Sequence, residues 1–107
     1  MKNIAIVGYG VIGKRVADAI HVQEDMNLVG VCDVINDWRI QTAIKKGYSV
    51  FAATGQAMGQ MKMSGIPVAG SMQNLLDQVD LVVDCTPKNI AAKNVEVYKK
   101  QGIKFIV

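Results

Sequence analysis

Asn3-Ile4-Ala5-Ile6-Val7-Gly8-Tyr9-Gly10-Val11-Ile12-Gly13 is the stretch that decides the fold. Asn3 to Val7 is an almost unbroken apolar run, the pattern of a strand covered on both faces, as in a parallel sheet. Gly8 to Gly13 then reads G-x-G-x-x-G. Glycines punctuate turns of every kind, so the context matters more than the motif. Here it leaves a strand and enters a helix expected over Val11 to Ile20. Leu28 to Asp33 supplies the next strand, so Asn3 to Asp33 forms one βαβ unit. In such a unit Gly8 permits the tight turn, Gly10 lets backbone approach a pyrophosphate, and Gly13 allows close packing of helix on strand. The free amides near Val11 and Ile12, at the positive end of the helix dipole, can receive phosphates. Ile12, Val16 and Ile20 recur every four residues and predict the buried stripe of that helix, with Lys14 and Asp18 facing outward.

Asp33 stands 20 positions beyond Gly13, at the end of the second strand. A carboxylate there accepts hydrogen bonds from the adenosine ribose hydroxyls and repels a 2′-phosphate. That pattern predicts NAD in preference to NADP. The plainer alternative is a surface Asp opening a loop toward Asn36 and Asp37.

Alternation continues along the chain. Asp37 caps a helix over Trp38 to Lys46 that Gly47 ends, and Tyr48 to Phe51 reads as a short strand. Gln56 to Met63 reads as a helix whose Met58, Met61 and Met63 form a gap-filling apolar face. Ile66 to Gly70 is an extended edge segment, and Ser71 caps a helix through Val79 that turns Leu75, Leu76 and Val79 inward. Leu81 to Val83 is a buried strand leading into Asp84-Cys85-Thr86-Pro87. A helix over Ile90 to Gln101 buries Ala91, Val95 and Tyr98, Gly102 ends it, and Lys104 to Val107 begins another strand. Strands alternating with helices imply an α/β fold with right-handed crossovers. The expectation is a Rossmann-type doubly wound parallel sheet, one domain over residues 1–107, truncated within its second half.

Of 107 residues 50% are hydrophobic, enough for a real core, and 12 basic against 9 acidic residues leave a net charge of +3. That charge is small and scattered, which argues against a nucleic-acid partner. Lys45-Lys46 and Lys99-Lys100 fall near helix C-termini, where cations complement the dipole. No apolar run approaches the roughly 20 residues of a membrane helix, and Cys32 and Cys85 lack metal-ligand spacing. A cytoplasmic location is expected.

The blocks Val7-Gly8-Tyr9-Gly10-Val11-Ile12-Gly13-Lys14-Arg15-Val16-Ala17-Asp18-Ala19, Asp25-Met26, Leu28 to Val31, Gly65 to Gly70, Val82 to Pro87, Ala92-Lys93-Asn94 and Tyr98 occur here in order. Together they resemble the N-terminal NAD(P)-binding domain of archaeal-type (type II) glyceraldehyde-3-phosphate dehydrogenases. The resemblance implies a phosphorylating dehydrogenase, a homotetramer when complete. In such enzymes a cysteine thiolate attacks the aldehyde, hydride passes to the nicotinamide, and inorganic phosphate releases the acyl group. By matching position, Val11 and Ile12 would contact the cofactor, Gly8 and Gly10 would shape its cradle, and Thr86 and Pro87 would lie near the nicotinamide. Asp33-Val34 stands where the family commonly has Lys-Thr, which strengthens the expectation of NAD. Lys88-Asn89 stands where small glycines are common, so the loop near the nicotinamide is expected to differ. The family's nucleophilic cysteine, its histidine and its substrate-phosphate ligands match nothing in these residues.

Cys85 ends a buried strand and reads as a small core residue. His21, the sole histidine, reads as a helix-end residue. No catalytic constellation or metal cluster is expected, so the chain should bind a dinucleotide and do no chemistry alone. Two alternatives share these features. One is the cofactor domain of another small-substrate reductase, of homoserine or dihydrodipicolinate type. The other is a non-catalytic nucleotide sensor, against which the Gly65-to-Gly70 and Asp84-to-Pro87 blocks weigh.

Overall fold

In the computed structural model, which describes residues 1–34 and 37–107, the opening apolar run is β1 (Lys2–Val7). It is followed by α1 (Val11–His21), β2 (Met26–Asp33), α2 (Trp38–Lys45), β3 (Val50–Ala52) and α3 (Gly55–Met63). The chain continues through β4 (Val68–Ser71), α4 (Met72–Leu76), β5 (Leu81–Asp84), α5 (Lys88–Gln101) and β6 (Lys104–Ile106). Asn36, in the loop proposed to follow Asp33, lies outside the described residues.

All strand pairs are parallel, in the order β4-β3-β2-β1-β5-β6. Side chains alternate between the two faces of this sheet, so each strand feeds two cores. Ile4 and Ile6 of β1, Val31 of β2 and Val50 of β3 join Ala17, Ile40, Ala43, Ala57 and Met61 beneath α1, α2 and α3. Ala5, Val7, Cys32, Phe51 and Val82 join Leu75, Leu76 and Tyr98 beneath α4 and α5 on the other face. The chain therefore winds outward from β1 to β4 on one side, crosses back, and winds outward again from β5. This is the expected doubly wound Rossmann sheet, and its direction reverses between β1 and β5.

Local chemistry explains where the helices start. Asp37 accepts the Arg39 N–H at 3.0 Å, and Thr54 accepts that of Ala57 at 3.0 Å. Ser71 and Asn74 form a reciprocal capping box, in which the Ser71 hydroxyl accepts from Asn74 N and the Asn74 carbonyl accepts from Ser71 N. The helix that Ser71 opens ends at Leu76 rather than Val79, because Asp77 caps it and the chain turns into β5. The last helix starts at Lys88, two residues earlier than its apolar pattern, directly after Pro87.

The predicted stripe of α1 holds at Val16, which packs against the core, and at buried Ile20, but not at Ile12. Gly13, Ala17 and Ile20 face the sheet, whereas Ile12 is 68% exposed. Gly13 sets this rotation by lying against the preceding turn, so the inward face begins one residue later than the apolar spacing implies. Asp18 is not simply solvated: its carboxylate accepts from Lys46 Nζ at 2.6 Å and from the Tyr48 hydroxyl at 2.7 Å, tying α1 to the segment before β3. Of the three methionines on α3, Met61 is buried and Met58 packs at the core edge, while Met63 is 91% exposed. Among the described residues no helix is long and apolar enough to cross a membrane.

Candidate functional site

The reversal of direction between β1 and β5 leaves a gap above their carboxyl ends, where ligands of such sheets bind. A cavity of about 590 Å³ lies there, walled by Val7 and Gly8, by Cys32 to Val34, and by Cys85 to Pro87. Gly10, Arg39, Ala53, Thr54, Met72, Ile90 and Asn94 complete the wall.

The floor is the glycine turn. Gly8 has φ +93°, a conformation that favours glycine, and a Cβ there would meet Cys85 C and Thr86 N at 2.8 Å. Its N–H donates to Cys32 O at 2.8 Å, and Cys85 N donates to Val7 O at 2.7 Å. The turn is thus pinned to the ends of both neighbouring strands. A Cβ on Gly13 would lie 1.9 Å from Gly8 O, so the first turn of α1 rests directly on the loop. Gly10 is different, for nothing lies within 4 Å of a Cβ built on it. It forms the N-cap of α1 without any side-chain cap. Open space above uncapped amides at a helix N-terminus is what an incoming phosphate requires.

Asp33 holds the turn from the other side. Its Oδ2 accepts the Tyr9 N–H at 2.6 Å and its Oδ1 accepts the Val34 N–H at 2.6 Å. A carboxylate offers about four lone-pair sites, and the described residues place two donors on this one. The residue that faces the expected ribose therefore also braces the expected pyrophosphate loop.

Asp84 organises the opposite wall. It is 4% exposed and accepts from Thr86 N at 2.9 Å, from the Thr86 hydroxyl, from Asn94 Nδ2 at 3.1 Å and from the Tyr98 hydroxyl at 2.6 Å. A buried carboxylate is tolerated only when its lone pairs are so filled. Burial, and then the bond to Asp84, pushes the Tyr98 phenol well above its ordinary range. The result is a fixed Thr86-Pro87 corner at the mouth of the cavity.

Five of the eight expected site residues, Gly8, Gly10, Asp33, Thr86 and Pro87, line this one cavity. Val11 and Ile12 stand on the first turn of α1 with exposed side chains, and Gly13 is buried beneath. Only main-chain groups of Val11 and Ile12 are needed for the role expected of them, so exposure of their side chains is compatible with it. Lys88 and Asn89 are exposed at the start of α5 and are not among the cavity-lining residues.

Cys85 proves to be a half-buried wall residue rather than a core residue. Burial and the neighbouring Asp84 push its thiol up, the reverse of what a nucleophile needs. The Cys32 thiol is buried and pushed up to about 12 by burial, Asp33 and Asp84. His21 ends α1 and packs edge-on against Tyr48, with ring centroids 5.2 Å apart. Because α1 runs back against the strands, His21 sits at the opposite end of the sheet from the cavity.

Sequence reasoning missed Arg39, Met72 and Asn94 as wall residues. Asn94 lay inside a block of resemblance, and its pairing with Asp84 across the β5–α5 corner was the available signal. Arg39 had been absorbed into the start of a helix, and nothing in the sequence placed it beside Asp33.

A family model described as dihydrodipicolinate reductase, N-terminus, matches residues 2–107. The chain belongs to this family. It is also 47% identical over 106 residues to the glyceraldehyde-3-phosphate dehydrogenase of Methanothermus fervidus, covering 99% of this chain and 32% of that protein. The enzyme of the same name from Methanobrevibacter smithii is 44% identical over 107 residues, again covering 99% of this chain and 32% of its own length. The chain thus spans about a third of the length of these relatives. A solved NAD-binding protein from Listeria innocua aligns over 99% of this chain and 34% of its own, at 19% identity and a TM-score of 0.48. The dihydrodipicolinate reductase N-terminus family and the archaeal dehydrogenases meet in one kind of unit, a Rossmann domain for a nicotinamide dinucleotide, and this chain is such a domain.

Proposed function

We propose that residues 1–107 are the cofactor domain of a phosphorylating glyceraldehyde-3-phosphate dehydrogenase and bind NAD in preference to NADP. The observation that carries this is the 47% identity running through 106 residues, together with one cavity that gathers the glycine turn, Asp33 and Thr86-Pro87.

Each end of the cavity has its task. Gly8 and Gly10 keep the floor free of side chains, and the amides of Val11 and Ile12 receive the pyrophosphate. Gly13 fixes the helix that carries those amides. Asp33 accepts the adenosine ribose hydroxyls. Thr86 and Pro87, held by Asp84, form the wall for the nicotinamide half. The dinucleotide, when bound, supplies the hydride acceptor. The chemistry at the aldehyde belongs to the catalytic part of the complete enzyme, so this chain alone is inactive. The complete enzyme is a cytoplasmic homotetramer in this reading.

The family's description favours a second reading, the cofactor domain of a dihydrodipicolinate-type reductase. Joining this chain to the catalytic portion of the Methanothermus fervidus enzyme separates the two. The hybrid is expected to reduce NAD with glyceraldehyde 3-phosphate in a phosphate-dependent way. A folded hybrid that binds NAD but stays inert with that aldehyde would count against the dehydrogenase assignment while leaving the cofactor site standing.

A further inference from the structure

One stripe of α5 faces the cavity and the sheet below it. Ile90, Asn94 and Tyr98 follow one another at four-residue spacing and so share a face of the helix. Ile90 and Asn94 line the cavity, while Tyr98 is buried beneath them. Asn94 and Tyr98 meet the same atom: Asp84 Oδ2 accepts from Asn94 Nδ2 at 3.1 Å and from the Tyr98 hydroxyl at 2.6 Å. That contact fixes the orientation of the Asn94 amide. A carboxylate accepts and does not donate, so the NH2 half turns to Asp84 and the carbonyl half turns away from it. Among the described residues no donor meets the Asn94 Oδ1. Any short donor at this position could serve Asp84. An amide does more, because it sets an acceptor beside the donor, on a wall whose neighbouring side chain one turn earlier is the apolar Ile90.

We propose that Asn94 is a cofactor-orienting residue whose side-chain carbonyl accepts a hydrogen bond from an amino group of the bound dinucleotide. This rests on the reading of the cavity as a dinucleotide site. A flat ring against Ile90 gains apolar contact in many rotations, whereas one hydrogen bond at its edge selects among them. NAD carries two groups of the required chemistry, the amino group of adenine and that of the nicotinamide carboxamide. Each is a planar N–H donor on a flat ring, the kind of donor that an amide carbonyl accepts. Asp84 and Tyr98 act one step back: they aim the amide without touching the ligand.

Calorimetric titration of the chain with NAD, nicotinamide hypoxanthine dinucleotide and 3-acetylpyridine adenine dinucleotide tests this in wild type and Asn94→Ala. The first analogue has an oxo group in place of the adenine amino group, and the second has a methyl in place of the carboxamide amino group. Wild type should bind one of them about threefold to tenfold more weakly than NAD, the range of one neutral hydrogen bond. Whichever analogue weakens identifies the end of the dinucleotide that Asn94 holds. Asn94→Ala should then bind NAD and that analogue alike. A purely structural role cannot close this gap, because loosening the Asp84 corner would weaken all the ligands together and leave their ratio unchanged. If the alanine variant fails to fold, the side-chain amide resonances of Asn94 in isotope-labelled wild type give a second reading. They should move on addition of NAD and respond less to the weaker analogue, and an equal response to all three ligands would overturn the proposal. So would a gap that survives in Asn94→Ala, or a wild type that binds all three equally, although the dinucleotide reading would then stand. A folded wild type that binds none of the three would remove both.

Discussion

Gly10 and Gly13 sit three residues apart in one motif, yet alanine at each should fail in a different way. A Cβ at Gly13 lies 1.9 Å from Gly8 O, and ordinary contact would require the start of α1 to retreat by about 1.5 Å. The obstructing atom is backbone, pinned by the bond from Gly8 N to Cys32 O. Forcing extra volume into a packed site costs about 1–3 kcal/mol, and an immobile neighbour places this case at the upper end. About 1 kcal/mol returns as better helix propensity. Gly13→Ala should thus lose about 2 kcal/mol, lowering the melting temperature by roughly 8 °C or more in a domain of this size. Gly10 has φ −85° and ψ −157°, extended backbone that alanine adopts, and its Cβ would enter open space. Its loss of stability should stay below about 1 kcal/mol, the scale of an N-cap exchange. In the proposed site the new methyl would stand in the path of the pyrophosphate, so NAD affinity should fall at least about tenfold, equivalent to about 1.4 kcal/mol. Urea unfolding followed by circular dichroism, paired with calorimetric NAD titration, reads both quantities. Wild-type stability in Gly13→Ala, or undiminished NAD binding in Gly10→Ala, would refute the division of labour.

Two further outcomes follow from the buried groups around the cavity. Tyr98→Phe removes one of the donors to the enclosed Asp84 and should destabilise the chain by about 1.5–3 kcal/mol in urea unfolding. NAD affinity should move little, because Thr86 and Asn94 still hold the corner. At alkaline pH the Cys32 thiol works against the fold: its ordinary value of 9.0 rises to about 12 in the folded chain. The unfolded chain then loses that proton first, so the contribution is complete below pH 9.0 and is lost as pH rises toward about 12. The slope is at most about 1.4 kcal/mol per pH unit for one group. Cys32→Ala should flatten unfolding free energy against pH just above 9.0, before the tyrosines add their own dependence. An unchanged slope would contradict this origin.

The fold was legible because its punctuation is local. Gly8 to Gly13, the caps Asp37 and Ser71, and Gly47 and Gly102 mark boundaries through backbone chemistry that needs no distant partner. The apolar runs around Ile4 and Val82 then require a sheet covered on both faces. What depends on contact across the sheet was harder to read. Ile12 fits a four-residue repeat as well as Ala17 does, and only the approach of Gly13 to Gly8 decides which face turns inward. The sequence offers Asp33 as a candidate ribose acceptor, whereas its bracing of Tyr9 N depends on the register that places β2 beside β1. Arg39 and Asn94 reach the cavity only because helices fold back over strand ends. Their residue types alone carried no such message.

The central claim is that a nicotinamide dinucleotide binds above the carboxyl ends of β1, β2 and β5. Titrating NAD into isotope-labelled chain while following each backbone amide by nuclear magnetic resonance tests it most directly. Saturable shifts should concentrate at Gly10, Val11, Ile12 and Gly13, with Asp33 and Thr86 following on the same binding curve. Shifts centred instead on the cleft of His21, Met26 and Tyr48 at the other end of the sheet, or no shifts at saturating NAD, would contradict it.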